Sequence, residues 1–92
     1  MVIGCLSLDL LIPGSNSLKD KRRVIKSLKD KIRSNFNVSV IEAPSDKWQR
    51  TKLAFASISF DRDYIEQAFR DIEEFIYHSG LADIISSEKE IF

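Results

Sequence analysis

The chain has one cysteine in 92 residues, so no internal disulfide can staple it and no CxxC pair can hold a metal or run redox chemistry. That usage fits a reducing compartment, and Cys5 reads as a small hydrophobe of a strand. The single histidine, His78, has no second His or Cys near it in sequence, which leaves out the common zinc spacings. There is no His, Cys and acid cluster from which to build a nucleophile and its base either. The expectation is therefore no catalytic residue, no metal and no cofactor. No run of about twenty apolar residues exists, so no membrane-crossing helix is expected. The opening MVIGCLSLDLLIPG has the lettering of a lipoprotein box, yet four residues before Cys5 are too few for a signal, and Asp9 breaks the run behind it. A cytoplasmic protein is expected. Glycine and proline are scarce, at three and two, and with 43% hydrophobic residues and no repeats the composition excludes disordered and collagen-like chains. One domain over residues 1–92 follows, able to bury a single core.

The net charge of zero hides an uneven distribution. Ser17 to Arg33 holds eight of the fourteen Lys and Arg residues against two acids. The same stretch begins a helix cleanly: Ser17 has the hydroxyl of an N-cap, and Asp20 three residues on gives capping-box spacing, so the helix starts at Leu18. At about 100° per residue, Leu18, Val24, Ile25, Leu28, Ile32 and Phe36 form an apolar side. Lys19, Arg22, Lys26, Lys29 and Arg33 fall in an arc of roughly 80° beside it, a cationic ridge that reads as lacking acids at i+4 spacing. Lys21 points by phase toward the apolar side. Its ammonium is expected to reach past the helix end toward the free amides of the first turn, where an anion would sit.

The other segments read as strands and a second helix. Val2 to Ile12 alternates, with Val2, Leu6, Leu8, Leu10 and Ile12 on one face and Ser7 and Asp9 on the other, before Pro13 and Gly14 end it. Val38 to Ala43 is a second strand closed by Pro44, and Lys52 to Phe60 a third. The Ala54, Ala56, Ile58 and Phe60 face of that third strand is assigned to the helices, because small residues let a helix approach closely. Asp61 or Asp63 caps a second helix whose core side is Tyr64, Ile65, Ala68, Phe69, Ile72, Phe75 and Ile76; Gly80 stops it. Its outer face carries Glu66, Asp71, Glu73 and Glu74. A last strand runs from about Leu81 toward Ile91.

The order strand, helix, strand, strand, helix, strand is the split βαβ pattern of ferredoxin-like α+β domains, a four-stranded antiparallel sheet with two helices on one face. The uncovered face would then show Cys5, Ser7, Asp9, Phe55, Ser57 and Ser59. An RNA-recognition motif is unlike this chain, since TKLAFASISF has Leu53 and Ala54 where that motif needs Gly and an aromatic. The turn PGSNS lacks the phosphate-binding Arg of acylphosphatases. The run SLKDKRRVIKSLKDKIRSNFNVSV, followed by DKWQR, resembles the YlxP-like family of small uncharacterised bacterial proteins over nearly the full length. The most specific segments are Ser17-Leu18-Lys19 with Lys21-Arg22, Phe36 to Val40, and Asp46 with Trp48-Gln49-Arg50. The resemblance implies a ferredoxin-like fold. It also implies genes often lying between a translation initiation factor and a ribosome-binding factor, a neighbourhood pointing to ribosome assembly or translation.

These features give two readings. In the first, RNA or a ribosomal particle meets Lys19, Lys21, Arg22, Lys26, Lys29 and Arg33, with Trp48 stacking on an unpaired base, Arg50 on phosphate and Gln49 alongside. The ordinary alternatives are a solvated helix face and a Trp packed on its own domain. In the second, the chain is a protein-interaction or ligand-sensing module whose open sheet face makes a weak homodimer or meets another protein.

Overall fold

The computed structural model describes residues 1–92. Its elements are β1 (Val2–Leu11), α1 (Leu18–Asn35), β2 (Ser39–Glu42), β3 (Arg50–Ser59), α2 (Arg62–Ser79) and β4 (Asp83–Ile91). The strands form one antiparallel sheet in the order β2-β3-β1-β4, with both helices on one side, a ferredoxin-like α+β fold.

Both helices begin where the sequence allows a cap. Ser17, in extended conformation, accepts from the Asp20 amide, and Asp20 in return takes the Asn16 amide. Of the two aspartates that could cap α2, Asp61 does so, accepting from the Asp63 amide. Gly80 closes α2 in the left-handed region at φ 70°, where a side chain would be strained.

The core lies between the sheet and the helices. From β1 come Leu6, Leu8, Leu10 and, just beyond, Ile12; from α1 come Ile25, Leu28 and Ile32; from α2 come Ile65, Phe69, Ile72 and Ile76. Strand β3 corrects the expected face. Leu53 and Phe55 point into the core with Thr51 and Ser57, while Ala56 and Ile58 are exposed and Ala54 lies partly covered beside them. Pairing explains the inversion. Leu8 stands opposite Leu53 and Leu6 opposite Phe55, so the larger side chains share the buried face, where each removes more apolar area from water than an alanine.

The close approach expected of the alanines belongs to Gly4. A Cβ there would come within 2.5 Å of Ile65 Cγ2 and 2.9 Å of Phe69 Cε2, so α2 rests on the bare β1 backbone. Two further residues move outward from their expected places: Tyr64 is exposed on α2, and Phe60, just after β3, is 93% exposed. The buried polar groups are satisfied, Ser57 through the Asn37 carbonyl and Thr51 through Glu42.

Candidate nucleic-acid interface

The first turn of α1 and the loop between β2 and β3 are built as one unit, and Lys21 joins them. Its side chain is buried rather than extended past the helix end. The Nζ donates to the carbonyls of Lys47 at 2.7 Å, Ser45 at 3.2 Å and Arg50 at 3.4 Å, one acceptor for each ammonium hydrogen. A full charge removed from water needs such partners, and the loop supplies them by turning three carbonyls inward. Lys21 is therefore spent on the protein's own backbone. In the first turn Ser17 Oγ takes the Asp20 amide, and the Asp20 carboxylate sits at the helix start on the Asn16 amide, so with the Lys21 ammonium turned to the loop no anion site of the expected kind is assembled there.

Other bonds hold the same loop. The Ile12 amide donates to the Gln49 carbonyl at 2.8 Å, and the Gln49 side chain donates to the Ser15 carbonyl at 3.1 Å. The Ala43 amide bonds the Lys52 carbonyl, and Ser45 Oγ accepts from the Lys47 amide. Gln49, though exposed, thus has its side-chain amide engaged as a tether between the loop and Ser15. Trp48, between these anchored positions, is 56% exposed, so the indole is displayed on a fastened loop instead of being packed into the core.

The ridge residues keep their expected side of α1 but differ in how free they are. Lys19 and Arg22 are exposed and take part in no ion pair. Lys26 is paired with Asp30 at 2.7 Å, an i,i+4 partner that corrects the reading of a ridge without acids. That hydrogen bond, with Lys29 and Arg33 adding to the positive field, holds the Asp30 carboxyl below its ordinary value. Lys29 lies 3.9 Å from Glu42 of β2, and Arg33 Nη2 donates to the Val40 carbonyl at 3.1 Å. The ridge therefore runs beside β2. Its end near the loop carries the free cations, and its far end clasps the strand. Arg23 and Lys31, outside the expected arc, are exposed cations of the same helix.

Arg50 opens β3 and, by alternation with Lys52, belongs to the uncovered side of the sheet. The sequence-expected residues are thus split. Lys19, Arg22, Lys26 and Trp48 are exposed toward solvent; Lys21 and Gln49 are structural; Lys29 and Arg33 pair with β2; Arg50 lies around the corner. The signal for Lys21 was available, as a lysine on the apolar phase of an amphipathic helix. What it bonds, more than twenty residues downstream, was not. Away from this region, a cleft of about 700 Å³ lies between the helix C-terminal ends, floored by Phe36, Phe75 and Leu81 and rimmed by Lys31, Asp71, Glu74 and His78. No group of three or more His, Cys, Asp or Glu side chains is placed to hold a metal ion.

Comparison with known proteins adds a family and a fold. The family model described as "Protein of unknown function (DUF503)" matches residues 3–89. The chain is 34% identical over 76 residues to the "Uncharacterized protein YlxP" of Bacillus subtilis (strain 168), covering 82% of this chain and 83% of that one. Among solved structures, the structural-genomics protein YJCS matches with a TM-score of 0.58 at 13% identity, over 96% of each chain. The de novo designed protein Foldit4 matches with a TM-score of 0.57 at 14% identity, over 100% of this chain and 97% of that one. At such identities the likeness is one of fold alone.

Proposed function

We propose, from the premise that the chain belongs to the DUF503 family, that it is a non-enzymatic RNA-binding module of ribosome assembly or translation, working in the cytoplasm. It docks through the loop-proximal half of α1 and the Trp48 loop. One observation carries the reading: a half-exposed indole is held on a loop fastened by a buried ammonium of α1, the helix whose first turns also bear the exposed, unpaired Lys19 and Arg22. Exposing an indole to water forgoes the stabilisation of burying it, and fastening the loop that bears it removes the entropy a flexible platform would lose on binding. An aromatic plane beside Lys and Arg suits an unpaired base with its phosphates, because stacking tolerates any base and the cations follow the backbone. The gene neighbourhood implied by the family resemblance supports the same setting.

The observed exposures and pairings support one set of ligand contacts. Trp48 stacks, and Lys19, Arg22 and Lys26 meet phosphates, with Lys26 exchanging Asp30 for the ligand. Lys29 and Arg33 add long-range field, while Lys21 and Gln49 hold the platform. A labelled single-stranded RNA titrated by anisotropy at several salt concentrations tests this. Log affinity should fall with log salt at about −0.7 per phosphate contact, and the variant Lys19→Gln/Arg22→Gln/Lys26→Gln should flatten that slope and weaken binding about tenfold or more. An unchanged slope and affinity in a variant of normal melting temperature refutes it. Ribosomal particles co-purifying with the tagged protein, and lost in the same variant, place the activity in the cell.

A further inference from the structure

The uncovered side of the sheet bears an apolar patch that no element of the chain reaches. The strand register fixes its layout. At one end Ile58 stands beside Ile3, and Phe92 exchanges both backbone hydrogen bonds with Ile3, so the three form one row. Their exposures of 52%, 40% and 71% are high for residues of this kind. The next row is Ala56 beside Cys5, and the next Ala54 beside Ser7, with Ile41 of β2 flanking Ala54. At the other end Lys52 lies 3.9 Å from Asp9. Glu88 and Glu90 border the patch along β4.

We propose that this face pairs with a second copy of the chain, sheet against sheet, about a two-fold axis running along the strands between β1 and β3. Such an axis places each β3 residue over the β1 residue that it pairs with in its own sheet. Ile58 then meets the other copy's Ile3 and the reverse, and Ala56 meets Cys5. Lys52 meets Asp9, so the charged row is complementary to itself twice over. An isologous contact requires this reciprocity. Small residues in the middle rows let two sheets approach to the usual spacing of about 10 Å, and the isoleucines close one end. The β4 acids come to lie over the partner copy's β2 at the border of the contact, Glu90 over Ser39 and Glu88 over Ile41.

The area suits a modest dimer. Four strands about 4.8 Å apart and eight residues of length give roughly 500 Å² of flat footprint per copy, more with side-chain relief, against about 600–1,000 Å² per partner in specific complexes. The helices lie on the opposite side, so this contact is independent of the RNA reading.

Sedimentation velocity over a wide concentration range tests it. The wild type should pass from monomer to dimer as concentration rises, with little change in high salt. Ile58→Glu alters an exposed residue and should leave melting intact while weakening association about tenfold or more. Lys52→Glu should weaken association by setting like charges across the axis, and Lys52→Glu/Asp9→Lys should restore it. A wild type that stays monomeric throughout, or an Ile58→Glu variant that still dimerises, overturns the proposal. Failure of the charge swap to rescue overturns the placement of the axis.

Discussion

Replacing Lys21 with Met keeps the length and most of the volume of the side chain and removes its three donors. The carbonyls of Ser45, Lys47 and Arg50 then face a thioether-bearing chain instead of an ammonium. Hydrogen bonds to a charged group are worth about 1.5–3 kcal/mol each, but these share one donor, and the loop is able to turn its carbonyls outward to water. The ammonium's own desolvation cost also disappears. A net loss of about 2–4 kcal/mol follows, and at roughly 4–8 °C per kcal/mol for a domain of this size the melting temperature drops by about 8–32 °C. Lys21→Arg should not rescue it, because a planar guanidinium cannot point three hydrogens at the corners of a carbonyl triangle. Urea unfolding gives the stability, and Trp48 fluorescence anisotropy reports the loop directly. If Lys21→Met unfolds at the wild-type urea midpoint and its indole tumbles no faster, the loop is held by something other than this ammonium.

Gly4→Ala should cost about 2–3 kcal/mol, because the new methyl group would overlap Ile65 and Phe69 and push α2 from the sheet; urea denaturation at unchanged m-value measures it. Trp48→Ala should lower stability by less than about 1 kcal/mol yet cost about 1–3 kcal/mol in RNA affinity, and acrylamide should quench the free protein's indole readily. For Asp30, the Lys26 hydrogen bond lowers the folded-state pKa below 3.8, so the pair's stabilisation is present above the unfolded value and is lost as pH falls through the folded one. Carboxyl titration by NMR should give a midpoint below 3.8 in the wild type, moving upward in Lys26→Met.

The elements were legible because their signals are local. Caps at Ser17 and Asp61, the stop at Gly80, the alternation of β1 and the helical period of α1 each depend on a few neighbouring residues. The face of β3 was not, because both its faces carry apolar residues and only the pairing of Leu6 with Phe55 decides which one is buried. Gly4 shows the same limit: the glycine is visible in the sequence, but its need is set by Ile65, sixty-one residues away. Within the candidate site, the exposure of Lys19 and Arg22 followed from helical phase, whereas loop position left Trp48 open between display and packing on its own domain. The burial of Lys21 and the tethering of Gln49 depend on carbonyls that no side-chain pattern reports. The Lys26–Asp30 pair stands at readable i,i+4 spacing, inside a stretch where eight basic residues outnumber two acids and mask it.

The Arg33 to Val40 bond has a consequence for how copies of this protein avoid one another. In the β2–β3 pair, Ala43 bonds inward to Lys52, so the alternation leaves the amides and carbonyls of Val40 and Glu42 turned away from the sheet. These are the groups that would template a foreign strand. β2 offers only four residues, and Arg33 already occupies the Val40 carbonyl. The opposite border, β4, offers nine residues, with Glu88, Lys89 and Glu90 at one end and a break in register against Asp9 and Leu10. Joining the β2 border of one molecule to the β4 border of the next would repeat without closing and grow a fibre. With one border short and clipped and the other charged and bent, edge-to-edge growth lacks two matching strands, and removing the Arg33 clip should raise the tendency to aggregate before it lowers the stability of the monomer.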